Sequence, residues 1–345
     1  MKNRLAILVP AFNGGELLLQ TVLSCARAGL DAARYELLVV DNCSDDGSIN
    51  ALPSQLPDGA AVQVHHNEAN LGRVGNWNRA LQIASEQGFA YAVFLFVGDE
   101  WLPGGSIALM LDAMDESGSI LGMASLLLVN EEGESIRPGA RISIQGRTLQ
   151  ASTRELLQQS IATGRLPFAP IQANVYRLLK EKPLCFEEAS EQSLNTDIES
   201  TALFLEEHPG SVMIVSSPFL IWRERRGRFF NLQDPWFVFI ETRRSLQRLS
   251  AATGIGVNWK SANAVAMLTA LHEISTAIPL RQRLAFQFRV FRYLVADGAG
   301  LSLPIMIRFV AKKLVSGRSY IVLASNGEFT PEPPVFQSVA DQCRS

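Results

Sequence analysis

Two hydrophobic periods alternate through the first 130 residues of the chain. Short runs rich in β-branched and large aliphatic residues at positions 5–10, 35–41, 61–66 and 90–97 predict buried strands. The intervening stretches 16–27, 48–55 and 74–86 carry apolar residues at helical spacing and predict helices, with Gly29 and Gly88 as C-terminal stops. The resulting β-α-β-α-β-α-β order predicts an α/β fold, a Rossmann-like and mostly parallel sheet covered by helices. In such a sheet the ligand crevice lies beyond the carboxyl ends of the strands, so chemistry is expected in the segment after each strand.

Further along, 106–116 predicts a helix, 120–129 a strand and the glycine-punctuated stretch 130–144 a hairpin. Positions 150–180 mix helix and loop signals. Then 196–207 reads as a helix and 211–215 as a strand, followed by Pro218. Beyond Arg223 the pattern changes to helix after helix, at 235–250, 261–276, 280–295 and 303–315. The stretch 223–324 is therefore expected to form a C-terminal helical appendage. Positions 325–345 hold Pro331, Pro333 and Pro334 among few bulky residues and are expected to be a loose tail.

With 345 residues, 47% of them hydrophobic, the chain can bury a large core and is too apolar to be disordered. Cys25, Cys43, Cys185 and Cys343 form no CxxC pair and have no histidine partners at ligand spacing, which points away from a zinc site or a disulfide framework and toward a reducing cytoplasm. The apolar runs at 5–10, 89–98 and 119–129 all fall short of the roughly 18 residues that suggest a spanning helix. The net charge of −3 conceals a split: positions 222–318 hold 16 Lys and Arg against 5 Asp and Glu, leaving 15 against 29 elsewhere. Such a region either meets an anionic surface, phospholipid headgroups or a phosphate-bearing substrate, or is a helical domain that is merely arginine-rich. No nucleic-acid partner is expected.

Four segments follow predicted strands. Pro10-Ala11-Phe12-Asn13, before Gly14 and Gly15, offers an aromatic ring that can stack on a nucleobase, though alone it also fits an ordinary strand-to-helix turn. Val39-Val40-Asp41-Asn42-Cys43-Ser44-Asp45-Asp46-Gly47-Ser48 ends a buried strand on a carboxylate. Asp41 can accept from a base NH or ribose hydroxyls and needs a partner as a buried charge, whereas Asp46 and Ser48 read as helix caps. The stretch 67–80, with Asn70, Gly72 and Arg73, is a glycine-bearing loop running into a helix; Arg73 and the free backbone amides there can meet a diphosphate, or Arg73 is a plain surface arginine. Finally, Asp99 and Glu100 end the most hydrophobic strand, where carboxylate oxygens suit a hard divalent cation beside phosphates.

Taken together and in order, these segments resemble the family 2 inverting glycosyltransferases of GT-A fold, of the kind found in bacterial surface polysaccharide biosynthesis. PAFN resembles the family's Pro-x-Tyr/Phe-Asn, VVDNCSDDGS its Asp-rich turn, NEANLGRVGNWNRAL its Asn-x-Gly loop and following helix, and VGDEWLP its acidic metal motif. The resemblance implies that 1–130 is a nucleotide-sugar-binding half and 131–222 an acceptor and catalytic half. It implies that Pro10, Phe12, Asn13, Asp41, Asn70, Gly72 and Arg73 lie by the nucleoside or diphosphate. It also implies Mg²⁺ or Mn²⁺ on the diphosphate, held by Asp99 with Glu100 in support. The chain departs from the family at Phe96 and Gly98, where acids usually stand, which thins that metal site.

Further on, Asn195-Thr196-Asp197-Ile198-Glu199 resembles the family's acidic helix start, which makes Asp197 the catalytic base and Glu199 its reserve; Asp197 also suits a helix cap. The histidine that often follows Tyr-Arg in the family aligns with Arg225, so Arg223 or Arg225 would balance the leaving diphosphate. Trp101 can line the pocket, while His65, His66 and His272 read as structural. The implied activity is sugar transfer from a nucleotide diphosphate sugar to a hydroxyl of a glycan or lipid-linked glycan, with inversion. The implied place is the cytoplasm, or the inner face of the cytoplasmic membrane touched by the basic C-terminal helices. Two other classes stay open: a nucleotide-sugar-binding protein without turnover, for which Phe96 and Gly98 speak, and a nucleotidyltransferase, for which the first strand lacks a glycine-rich run with a nearby basic signature.

Overall fold

A computed structural model describes residues 3–129, 135–137, 142–143, 148–166, 171–187, 194–223, 234–274, 280–298, 300 and 321–322. Strands β1 (Leu5–Ala11), β2 (Tyr35–Asp41), β3 (Val62–His66) and β4 (Tyr91–Phe94) alternate with helices α1 (Gly15–Ser24) and α2 (Gly72–Glu86). There follow β5 (Glu100–Trp101), α3 (Ile107–Ser117), β6 (Leu121–Ala124), β7 (Leu127–Val129), β8 (Ser135–Arg137), β9 (Ile142–Ser143), β10 (Thr148–Ser152) and α4 (Thr153–Thr163). The chain then forms β11 (Asn174–Arg177), α5 (Thr196–Glu207), β12 (Ser211–Val215) and β13 (Leu220–Arg223), and continues into α6 (Pro235–Thr253), α7 (Trp259–Ile274) and α8 (Leu280–Ala296).

The main sheet has eight strands in the order β10-β12-β6-β11-β4-β1-β2-β3. β1 to β4 are parallel, as are β6 and β12, while β10 and β11 enter antiparallel. Strand alternation sorts the core onto two faces. Leu5, Ile7, Val9, Leu37 and Val39 pack with α1 and α3, whereas Ala6, Leu8, Leu38 and Val40 pack with α2, α4 and α5. Because both faces are covered, these strands read as continuous apolar runs. A second sheet, β5-β13-β7-β8, is built where the chain continues past the carboxyl ends of β4 and β6, so it borders the edge at which ligands are expected.

Several expected elements change shape. The strand expected at 120–129 is two strands, β6 and β7, in different sheets, and the one expected at 90–97 leaves the sheet after Phe94. The helix expected at 48–55 is a 3-10 turn, Ser48–Ala51, because Leu52 stands before Pro53 and takes an extended backbone. The unassigned stretch 150–180 contributes α4 and the central strand β11. Of the expected hairpin at 130–144, the antiparallel pair β7–β8 is described; the helix expected at 303–315 and the tail at 325–345 lie outside the described residues.

The C-terminal helices are joined to this α/β body. Leu249 of α6 belongs to the same core as Leu156 and Leu157 of α4 and Phe204 of α5. Gly164, which ends α4 at φ +73°, lies so close to α7 that a Cβ there would sit 2.8 Å from the Ala262 Cα. Glycine is therefore required by both its backbone and the helix contact. Among the described residues, no helix is long and apolar enough to cross a membrane.

Candidate active site

The loops after β1 and β2 are latched to each other. Phe12 follows β1 and is 53% exposed, which leaves its ring free to stack on a planar ligand. Pro10 lies inside β1, opposite Val40. Asn13 takes φ +48°, a left-handed backbone that asparagine tolerates. Its N–H donates to Ser44 Oγ and its Oδ1 accepts from Asp45 N, both at 2.9 Å. Asp46 Oδ2 accepts from Gly15 N at 2.8 Å, while Oδ1 accepts from Ser48 N at 3.0 Å and Ser48 Oγ at 2.6 Å. These bonds, the Ser48 hydroxyl foremost, hold the Asp46 carboxyl below the usual aspartate range. Asp46 thus ties the start of α1 to the loop after β2, which is more than the local cap expected of it.

Asp41 ends β2 and is buried; Oδ1 accepts from Ser44 N at 3.0 Å and Oδ2 lies 3.0 Å from His66 Nδ1 at the end of β3. The next residue, Asn42, organises the loop ahead of α2. Its Oδ1 accepts from Asn67 Nδ2 at 3.0 Å and Leu71 N at 2.8 Å, and its Nδ2 donates to Asn70 Oδ1 at 2.8 Å. Asn67 Nδ2 also donates to Asn76 Oδ1 at 2.8 Å, and Asn76 Nδ2 donates to the Val40 carbonyl at 3.0 Å. Asn70 Oδ1 further accepts from Gly72 N at 2.9 Å, so Asn70 and Gly72, expected by the ligand, shape the loop. Arg73 is exposed at the start of α2 with its guanidinium 5.1 Å from the centre of the Trp77 ring. Sequence reasoning singled out Asn70 and missed Asn42, Asn67 and Asn76; the signal was the density of asparagine in 67–78.

Past β4 the backbone turns at Gly98 with φ +90°, where Gly98 N donates to Thr21 Oγ1 at 2.7 Å and that hydroxyl donates to the Asp99 carbonyl at 3.0 Å. The left-handed turn explains glycine in place of an acid. Phe96, the other departure, packs 5.3 Å from the Trp77 ring. Asp99 is fully buried; Oδ2 accepts from Gln172 Nε2 at 3.1 Å and Oδ1 lies 3.4 Å from Arg223 N. Glu100 Oε1 meets Arg223 Nη2 at 2.7 Å and its Oε2 meets Arg27 Nη2 at 3.4 Å. A divalent cation needs several oxygens open to the crevice. Here Asp99 is sealed in, Glu100 holds two guanidiniums, and no group of three or more metal-ligating side chains occurs among the described residues. Among the described residues, Asp99 is thus buried and Glu100 is paired with Arg27 and Arg223, which bring positive charge to the place where the metal was expected. Trp101 is core rather than pocket lining, fully buried and stacked 5.2 Å from Phe219. Arg225 lies outside the described residues.

α5 packs on the sheet and reverses into β12 through residues 208–210, so its N-terminus returns to the carboxyl edge. Asp197 lies half-buried in its first turn; the cap position itself falls to Asn195. One turn along α5 from Asp197, Thr201 Oγ1 lies 2.9 Å from the hydroxyl of Tyr176, whose phenol is pushed up by burial. Glu199 faces elsewhere. Its carboxylate accepts from Arg248 Nε at 2.8 Å, Arg248 Nη2 at 2.7 Å and Ser245 Oγ at 2.6 Å, and Arg248 also reaches Glu241 at 2.8 Å. With both oxygens engaged between α5 and α6, Glu199 is a structural acid and not the reserve base.

The elements that carry Phe12, Asp41, Arg73 and Asp99 are also covered by comparison with known families: the family model described as Glycosyl transferase family 2 matches residues 6–177, from β1 through β11, and ends before α5 and Asp197. The chain belongs to glycosyl transferase family 2. Among solved structures this glycosyltransferase is similar to S. aureus TarS 1-349 in complex with UDP-GlcNAc, with a TM-score of 0.56 and 17% identity, covering 82% of this chain and 79% of that one. It is also similar to the mannosyltransferase PcManGT from Pyrobaculum calidifontis in complex with GDP-Man and Mn2+, with a TM-score of 0.51 and 15% identity, covering 92% and 89%. At such identities the likeness is one of fold, the GT-A arrangement. No curated protein sequence matches the chain.

Proposed function

We propose that this glycosyltransferase moves a sugar, with inversion, from a nucleoside diphosphate sugar to a hydroxyl of a glycan or lipid-linked glycan at the cytoplasmic face of a bacterial membrane. The observation that supports the reading is the gathering of Phe12, Asp41, Arg73 and Asp197 along one carboxyl edge of the sheet. In this reading Phe12 stacks on the base, and Asp41, which keeps acceptor capacity beyond its bonds to Ser44 and His66, receives the base or ribose. Arg73 and the amides opening α2 meet the diphosphate. Asp197 takes the acceptor proton as the hydroxyl oxygen attacks the anomeric carbon, and the bond to the diphosphate oxygen breaks in the same displacement. Arg223 and Arg27, aligned by Glu100, offset the charge of the leaving diphosphate. Both solved structures named above are complexes with nucleoside diphosphate sugars, which supports that donor class.

A second reading, donor binding without turnover, is favoured by one observation: a phenylalanine and a left-handed glycine fill two positions of the acidic motif. Asp197→Asn separates the two. If the enzyme reading holds, wild type releases nucleoside diphosphate in the presence of acceptor glycolipids, and the variant loses at least about a hundredfold of that rate at unchanged donor affinity. Equal rates in both proteins would remove Asp197 from the mechanism. Donor binding with no release in wild type would leave the binding reading in its place.

A further inference from the structure

α8 has two apolar faces, and the fold uses one of them. Phe286, Val290 and Leu294 are buried in a cluster with α6 and α7. Leu284, Phe288, Phe291 and Val295 are 57%, 63%, 60% and 65% exposed. Their spacing of four, three and four residues stacks them into one stripe on the opposite side of the helix. Single exposed apolar residues need no explanation, but a contiguous stripe with two phenylalanines marks an interaction surface. The exposed Arg281 and Arg292 border it. Asp297, just after the helix, pairs with Arg243, and positions 301–318 then add Arg308, Lys312, Lys313 and Arg318 and no acid.

We infer that the exposed face of α8 docks on an anionic lipid surface, the helix lying in the interface plane with its phenylalanines among acyl chains and its arginines at lipid phosphates. Charge complementarity selects this occupant, since an apolar stripe rimmed by basic residues matches the boundary between acyl chains and anionic headgroups. A second copy of the chain fits less well, because a symmetric contact through this face would bring two arginine-bordered surfaces together. The proposal stands on α8 and does not depend on the donor site.

Cosedimentation of the full chain with vesicles tests it, comparing phosphatidylcholine mixed with phosphatidylglycerol against phosphatidylcholine alone. The mixed vesicles carry the protein down, added salt weakens the association, and Phe288→Ser/Phe291→Ser and Arg281→Gln/Arg292→Gln each lower binding roughly tenfold while melting as wild type does. Should the phenylalanine pair fail to fold, Leu284→Gln/Val295→Gln makes the same test on the same stripe. Equal sedimentation with both vesicle types, or binding that no variant weakens, overturns the inference. So does a dimer in light scattering that the phenylalanine substitutions dissolve, which would assign the face to a second copy.

Discussion

Asp197 and Glu199 lie two residues apart on α5 and so project to different sides of the helix, and their surroundings divide the work. Glu199 is bound on both oxygens by Arg248 and Ser245. Glu199→Ala removes charge-assisted hydrogen bonds worth about 1.5–3 kcal/mol, while Arg248, more than a third exposed, keeps its bond to Glu241. Denaturant unfolding measures that loss, and donor affinity in the folded variant should be unchanged. Asp46 gives a pH prediction. Its carboxyl is held below its unfolded value, so its contribution is fully present above roughly pH 4 and is lost as pH falls through the lowered folded value. The protection factor of the Gly15 amide, its exchange rate relative to the unstructured rate at the same pH, should therefore be high at neutral pH and fall in acid, and Asp46→Asn should lower it at neutral pH. The places of Phe12, Asp41, Arg73 and Asp197 in the fold were legible in the sequence because each sits at the end of a predicted strand or the start of a predicted helix. Gln172, Thr21 and Asn76 were not, because their roles come from bonds to distant segments, as when Gln172 reaches Asp99 across 73 positions.

At the scale of elements, strands and helices with a strong period were readable and those set by pairing were not. Positions 35–41, 196–207 and 211–215 form β2, α5 and β12 at the boundaries their periodicity predicts. β11 was illegible because Asn174–Arg177 is short and polar at both ends, and it is a strand only because β4 and β6 flank it. The loop before α2 is a test of the asparagine network. Asn76→Ala strips a donor from the Val40 carbonyl and an acceptor from Asn67, at a cost of about 1–3 kcal/mol, and should weaken donor binding by loosening 67–72. Equal donor affinity in a destabilised Asn76→Ala would show that the loop shape does not matter to the ligand. Gly98→Asp, which restores an acid the family usually carries, meets a left-handed backbone and should cost about 1–2 kcal/mol. Because Glu100 is held by Arg27 and Arg223, that variant should show no new response to Mn²⁺ in a melting scan, and a metal-dependent rise would contradict the guanidinium reading.

For the whole molecule, an eight-stranded sheet brings the ends of β1, β2 and β4 and the start of α5 to one edge, and the C-terminal helices close over the far side of the same core. The charge split seen in the sequence corresponds to a region whose last described helix, α8, carries the exposed stripe. The body was legible because repeated strand-helix alternation leaves few topologies, whereas the separation of 120–129 into two sheets follows from the long-range pairing of β7 with β13. Melting of the full chain against UDP-, GDP-, dTDP- and CDP-linked sugars tests the donor site most directly. One nucleotide class should stabilise wild type and Asp197→Asn alike, by about 2.7 kcal/mol at a hundredfold excess over Kd, with the effect much reduced in Phe12→Ala. A melting temperature that none of these donors moves would contradict the account.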